Sequence, residues 1–163
     1  LFDESLKTWM VLAAHFDDEA LMFGNLLLTL AAEGRMIWIA VLTAVAHTNP
    51  AVTPEQIAGE PQRQARRLAA FAHVCGHLNA RPIYLGSPQL ATVTDQMQAH
   101  IDAREALLDA IDLAKPDAII THGRAGEYTA SKYSNGWHTA REQHAFASRL
   151  CNALPGVAVY RRE

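Results

Sequence analysis

The stretch Thr8-Trp9-Met10-Val11-Leu12-Ala13-Ala14-His15-Phe16-Asp17-Asp18-Glu19 governs the interpretation of the chain. An apolar run of strand length, Thr8 to Ala14, ends by delivering a histidine and two adjacent carboxylates to one spot. Costly polar groups gathered at the end of an apolar strand call for a partner or a metal. Zinc accepts histidine nitrogen and carboxylate oxygen, and a catalytic zinc site usually has three protein ligands and one position open to water. His15 and Asp18 can supply two of the three, and Asp17, left beside the water, is the candidate general base. An N-cap aspartate with an acidic first helical turn accounts for Asp18 or Glu19 alone, but accounts poorly for His15.

Further apolar runs of strand length, Met36 to Thr43, Pro82 to Leu85, Ala118 to Thr121 and Val157 to Tyr160, alternate with helical patterns at about Asp18 to Glu33, Pro61 to Cys75, Asp95 to Ala114 and Thr139 to Ala153. That alternation is the signature of βαβ units. The expected fold is α/β, a Rossmann-like three-layer αβα sandwich with a mostly parallel sheet. Gly34 and Gly76 suit the C′ ends of the first two helices. Pro61 suits a first helical turn, and Pro116 suits the exit from the third helix. Two long irregular stretches, Ala44 to Glu60 and Gly123 to His138, each follow a strand. Ligands in open α/β sheets bind outside the carboxyl ends of strands, so both loops are expected to share one crevice with His15, Asp17 and Asp18.

The chain has 163 residues, half of them apolar and 19% charged, with a net charge of -3. This length suits a single domain, 1–163, that buries about 68–70% of its unfolded surface. The composition excludes disorder, and no basic face for nucleic acid stands out. Cys75 and Cys151 lack CxxC spacing and offer neither a disulfide framework nor a cysteine zinc site, which favours a reducing, cytoplasmic location. The longest apolar-rich segment, Ala20 to Ala32, falls short of the ~20 residues of a membrane span. No secretory signal pattern is visible, and a chain starting at Leu1 is expected to be a trimmed one.

A third ligand has to come from elsewhere, and Gly136-Trp137-His138-Thr139-Ala140-Arg141-Glu142-Gln143-His144 is the obvious source. On one continuous helix, residues six apart differ by about 240° of rotation, so His138 and His144 would face different sides. Either His138 turns inward from the loop, or only one of the two coordinates. His122, at the end of the run Ala118-Ile119-Ile120-Thr121, either orients a ligand or bonds to backbone. Among Arg63, Arg66 and Arg67, the residue nearest the loop, Arg63, is the best substrate-binding candidate, together with Tyr128 of the segment Gly126-Glu127-Tyr128. The first strand-to-helix turn lacks GxGxxG, and its acidic residues would repel a pyrophosphate, which argues against a dinucleotide site.

On these residues the chain resembles the LmbE-like (PIG-L) family of zinc-dependent N-deacetylases, which act on N-acetylglucosaminyl-phosphatidylinositol and related glucosaminides. The resemblance spans most of the chain. It is carried by Ala14-His15-Phe16-Asp17-Asp18-Glu19 against the family's AHPDDE, by Ala32-Glu33-Gly34, by Val41-Leu42-Thr43, and by Pro116-Asp117 running to Thr121-His122. It implies His15, Asp18 and His144 as zinc ligands, with Fe2+ as an alternative ion, and Asp17 as general base. It further implies a hydrolase that removes an N-acetyl or other N-acyl group from an amino sugar or glycoconjugate. Phe16 departs from the family's proline. Arg141 stands where the family has its other histidine, and as a permanent cation it cannot serve as an acid. His138 is the candidate to replace that histidine as oxyanion donor and acid, and a catalytically impaired metal- or sugar-binding member is the alternative. The family usually carries more chain after the last strand named above, which leaves a substrate-binding lobe to be expected beyond residue 163.

Overall fold

The computed structural model describes residues 3–43, 59–87, 94–124, 136–154 and 156–161, excepting the side chains of residues 60 and 136–141. The elements run β1 (Thr8–His15), α1 (Asp18–Leu21), α2 (Gly24–Ala32), β2 (Met36–Thr43), α3 (Glu60–His77), β3 (Arg81–Ser87), α4 (Gln96–Ala114), β4 (Ala118–Thr121), α5 (Gly136–Leu150) and β5 (Ala158–Arg161). The strands form one sheet in the order β3-β2-β1-β4-β5 with every pairing parallel. The α/β Rossmann-like sandwich expected from the alternation is the observed fold.

The unbroken apolar strands follow from burial on both faces. Met10, Leu12 and Ala14 of β1 pack with Trp38, Ala40 and Leu42 of β2 against Ala103, Leu107 and Ala110 of α4 and Phe146, Ala147 and Leu150 of α5. The alternate residues Trp9, Val11 and Ala13 face the other layer, where Phe23 at the turn before α2 and Leu27 and Leu30 of α2 meet Phe71 and Cys75 of α3. Both cysteines are buried and free, and burial pushes each thiol up to about 12, so neither is a thiolate near neutrality.

Asp117 holds β4 in line with β1 at the opposite end from the site. Its carboxylate accepts the backbone N–H groups of Lys7 and Thr8 at 2.7 and 2.8 Å, and its own N–H donates to the Thr8 carbonyl at 2.8 Å. The resulting register pairs Leu12 with Thr121, so β4 ends three residues before β1 and leaves His122 beside Ala14 near the end of β1. The strand order reverses between them, which is the topological switch point where open α/β sheets bind ligands.

Three local readings change. The helix expected over Asp18 to Glu33 is two pieces, because the chain turns at Phe23, which is 2% exposed and packs inward, and Gly24 is a poor helix-interior residue. Gly76 lies within α3, and the left-handed residue after the helix is Asn79, with φ 50°. α5 begins at Gly136 rather than Thr139 and ends at Leu150, so His138 stands in its first turn and not in a loop. Pro61 occupies the first turn of α3, and Gly34 takes φ 67°, both as expected. Of the two long loops, residues 44–58 and 125–135 lie outside the described residues. Among the described residues no helix is long and apolar enough to cross a membrane.

Candidate metal centre

The site is built on the turn between β1 and α1. Phe16 turns inward, 5% exposed, its ring 5.2 Å from that of Phe71 and 5.6 Å from that of Tyr84. An aromatic anchor therefore holds the turn where the resembling family has a rigid proline. The next residue, Asp17, has φ 107°, a conformation few side chains other than glycine adopt, and strain of this kind concentrates at functional sites. Two short bonds fix the turn: the His15 N–H donates to Asp18 Oδ2 at 2.8 Å, and the Asp17 N–H donates to Glu19 Oε2 at 2.9 Å.

His15, Asp18 and His144 converge. One donor atom from each lies within 4.8 Å of the others. His144 Nε2 stands 3.3 Å from Asp18 Oδ1, and His15 Nδ1 stands 3.5 Å from Asp18 Oδ2. Each imidazole thus stands beside a different oxygen of the Asp18 carboxylate, at a separation close to the roughly 3.3–3.6 Å between donors about 2.0–2.2 Å from a tetrahedral zinc. The donor set, two imidazoles and one carboxylate, therefore fits a divalent ion. Asp18 and His144 are buried, whereas the His15 side chain keeps 12% exposure, so the cluster meets solvent on the His15 side.

Burial alone would raise the Asp18 carboxyl, but contacts from His122, His144 and His15 outweigh it and hold the group below the ordinary carboxylate range. Asp17 moves the other way. Burial and the neighbouring Asp18 charge push it up, against the partial opposition of His15, Arg67 and His144. The two adjacent carboxylates are thus driven apart, one toward a permanent anion and one toward a base that can hold a proton, a division of labour typical of acid–base sites.

His122 bonds to backbone, the second of the two roles its position left open. Its Nε2 accepts the Ala14 N–H at 3.1 Å, replacing a ladder carbonyl just past the end of β4. Its ring also stacks on His144 at 4.1 Å and 14°, with the Phe23 ring against it at 5.2 Å. Arg67, rather than Arg63, is the arginine that acts electrostatically on Asp17, and among the described residues its buried Nη1 has no hydrogen-bond partner. The signal for it was a stripe at spacing four: Arg63, Arg67, Phe71 and Cys75 share one face of α3, and Arg67 is the member next to buried Phe71. Tyr128 lies outside the described residues, as do the side chains of His138 and Arg141. On the continuous α5, positions 138 and 144 stand about 240° apart, so they do not share a face.

Fold and site together define a doubly wound α/β protein with a buried His/Asp/His cluster at its switch point. The chain belongs to the PIG-L family, described as GlcNAc-PI de-N-acetylase, whose profile matches residues 10–150. No curated protein matches it. Among solved structures it is similar to N,N'-diacetylchitobiose deacetylase from Pyrococcus horikoshii, with TM-score 0.63 and 14% identity over 90% of this chain and 48% of that one. It is also similar to GalB, the 4-carboxy-2-hydroxymuconate hydratase from Pseudomonas putida KT2440, with TM-score 0.59 and 16% identity over 89% and 54%. The zinc-inhibited form of teicoplanin deacetylase Orf2 gives TM-score 0.65 and 17% identity over 93% and 65%. The chain thus spans about half to two thirds of the length of these proteins. At such identities the likeness concerns the fold, and a hydratase among the neighbours means that the fold by itself does not select amide hydrolysis.

Proposed function

We propose that the protein is a divalent-metal-dependent hydrolase that removes an N-acetyl or other N-acyl group from an amino sugar or related glycoconjugate. The observation that carries this reading is the convergence of His15, Asp18 and His144 within 4.8 Å, beside a carboxylate, Asp17, that burial pushes toward proton uptake. His15, Asp18 and His144 would hold the ion, with zinc the first candidate and Fe2+ the alternative. When bound, the ion would supply a Lewis acid for the acyl carbonyl and lower the pKa of water. Asp17 takes a proton from the attacking water at its carboxylate. The expected role of His138 as oxyanion donor and acid for the departing amine required it to turn inward from a loop, whereas α5 sets it on a different face from His144. That role therefore has no donor among the described residues, and Arg63 and Tyr128 remain proposed substrate contacts. Membership of a de-N-acetylase family and deacetylases among the structural neighbours support the reaction class.

The test combines metal analysis of the purified protein with an amine-release screen over N-acetylated amino sugars and acylated glycopeptides. Stoichiometric metal with amine release is the expected result. Stoichiometric metal without release favours a catalytically impaired metal- or sugar-binding protein, and neither metal nor release sinks the reading.

Arg67 joins the proposed substrate contacts, because a buried guanidinium nitrogen with no hydrogen-bond partner among the described residues is primed for an oxygen of the substrate. A hydrogen bond to a charged group contributes about 1.5–3 kcal/mol, so Arg67→Ala should raise KM by roughly 10–100-fold with a smaller change in kcat. Steady-state kinetics on the best substrate of the screen checks this, and an unchanged KM removes Arg67 from the substrate site.

A further inference from the structure

The side chain immediately before His144 makes the shortest described link between α5 and the sheet at the site end. Gln143 Nε2 donates to Thr43 Oγ1 at 2.6 Å, and both residues are fully buried. Thr43 is the last residue of β2, and in the β1–β2 ladder it is the direct partner of His15. A closed circuit results: His15 is paired to Thr43, Thr43 is bonded to Gln143, and Gln143 is followed by His144. The described apolar anchors of α5, Ala145, Phe146, Ala147 and Leu150, all lie on the C-terminal side of His144. Those anchors fix the far part of the helix, while the amide–hydroxyl bond fixes the part that carries the histidine.

We propose that Thr43 and Gln143 are positioning residues whose hydrogen bond sets the separation of the His15 and His144 imidazoles, and hence the affinity of the cluster for a divalent ion. The inference rests on the metal-site reading given above. Both groups are neutral, so the link carries no charge to the ion and acts by geometry alone. The ring centroids of His15 and His144 are 5.5 Å apart, and a shift of a few tenths of an ångström in α5 changes the two donor distances together. Outer partners that orient metal-binding side chains typically contribute 10–100-fold in metal affinity.

The experiment titrates zinc against a competing chromophoric chelator, and records the cobalt(II) absorption spectrum as a measure of coordination geometry, in four variants of the full chain. Thr43→Val keeps the shape and removes the acceptor, and it should weaken zinc binding about 10–100-fold and alter the cobalt spectrum. Thr43→Ser keeps the hydroxyl and should bind within a few-fold of the wild type. The double variant Thr43→Val with Gln143→Leu removes both ends of the bond and should still bind zinc weakly, with urea unfolding as the check that it is folded. Wild-type affinity in a folded Thr43→Val protein or in the double variant overturns the proposal, as does a loss in Thr43→Ser equal to that in Thr43→Val. His144→Ala is the fourth variant and separates the two readings. If it too leaves affinity unchanged, the metal site itself is wrong, whereas if it alone abolishes binding, only the positioning role fails.

Discussion

Replacing Asp17 by asparagine is expected to lower amide hydrolysis by about 10²–10⁴-fold, the range a positioned general base contributes, while metal content stays at the wild-type level. The substitution is a clean one at this position. Asp17 holds φ 107°, and asparagine is enriched with aspartate among the few non-glycine residues that accept positive φ, so the turn should survive. The bond from Asp17 to the Glu19 carboxylate is donated by the Asp17 backbone N–H and does not depend on the Asp17 side chain. Loss of turnover with metal retained therefore reports the carboxylate and not the scaffold. Asp17→Gly is the companion experiment: it relieves the backbone strain and should leave stability equal or raised by about 1 kcal/mol while removing the base. Urea unfolding and metal analysis accompany the kinetics for both variants. A wild-type rate in Asp17→Asn would move the base elsewhere, and buried Glu19, whose carboxyl burial also pushes up, is the group to examine next.

The parts of this architecture written in local pattern were legible before any coordinates. β1, β2 and β4 are unbroken apolar runs because both of their faces are covered, and that periodicity is a property of the sequence itself. The pairing of His15 with Asp18 was also legible, because three residues span a strand end and the first helical turn. His144 was not reachable from local pattern alone: 126 residues separate it from Asp18, and spacing left it level with His138 until a family resemblance favoured it. The role of Arg67 depends on how α3 packs, and in the sequence Arg67 competes with Arg63 on the same face and with its exposed neighbour Arg66. The Gln143–Thr43 bond and the acceptance of the Ala14 N–H by His122 span 100 and 108 residues, and they arise only once the register of β1 against β2 and β4 is set. The split after α1 was hidden because Phe23 and Gly24 fit an apolar helical stripe, while the inward packing of Phe23 against His122 is a tertiary contact.

His144→Ala should have the largest effect on metal content, taking the protein from one equivalent of zinc to well below it after dialysis against a weak chelator. Zinc sites of this class take three protein donors, and removing His144 leaves only His15 and Asp18. The loss should exceed the roughly 10–100-fold that an outer partner contributes, since a bond to the ion itself disappears. His122 is the group that would have to compensate, because its ring lies 4.1 Å from that of His144 and its Nε2 is 3.5 Å from Asp18 Oδ2. To bind the ion through that nitrogen it would have to release the Ala14 N–H, leaving a buried backbone donor unsatisfied at a cost of about 1–3 kcal/mol. Compensation is therefore disfavoured, and the double variant His144→Ala with His122→Ala should hold no less metal than His144→Ala does. The converse single variant, His122→Asn, should keep close to one equivalent, because the three proposed donors remain. Retention of stoichiometric zinc by His144→Ala would place the third ligand elsewhere, and its further loss in the double variant would identify His122 as that ligand.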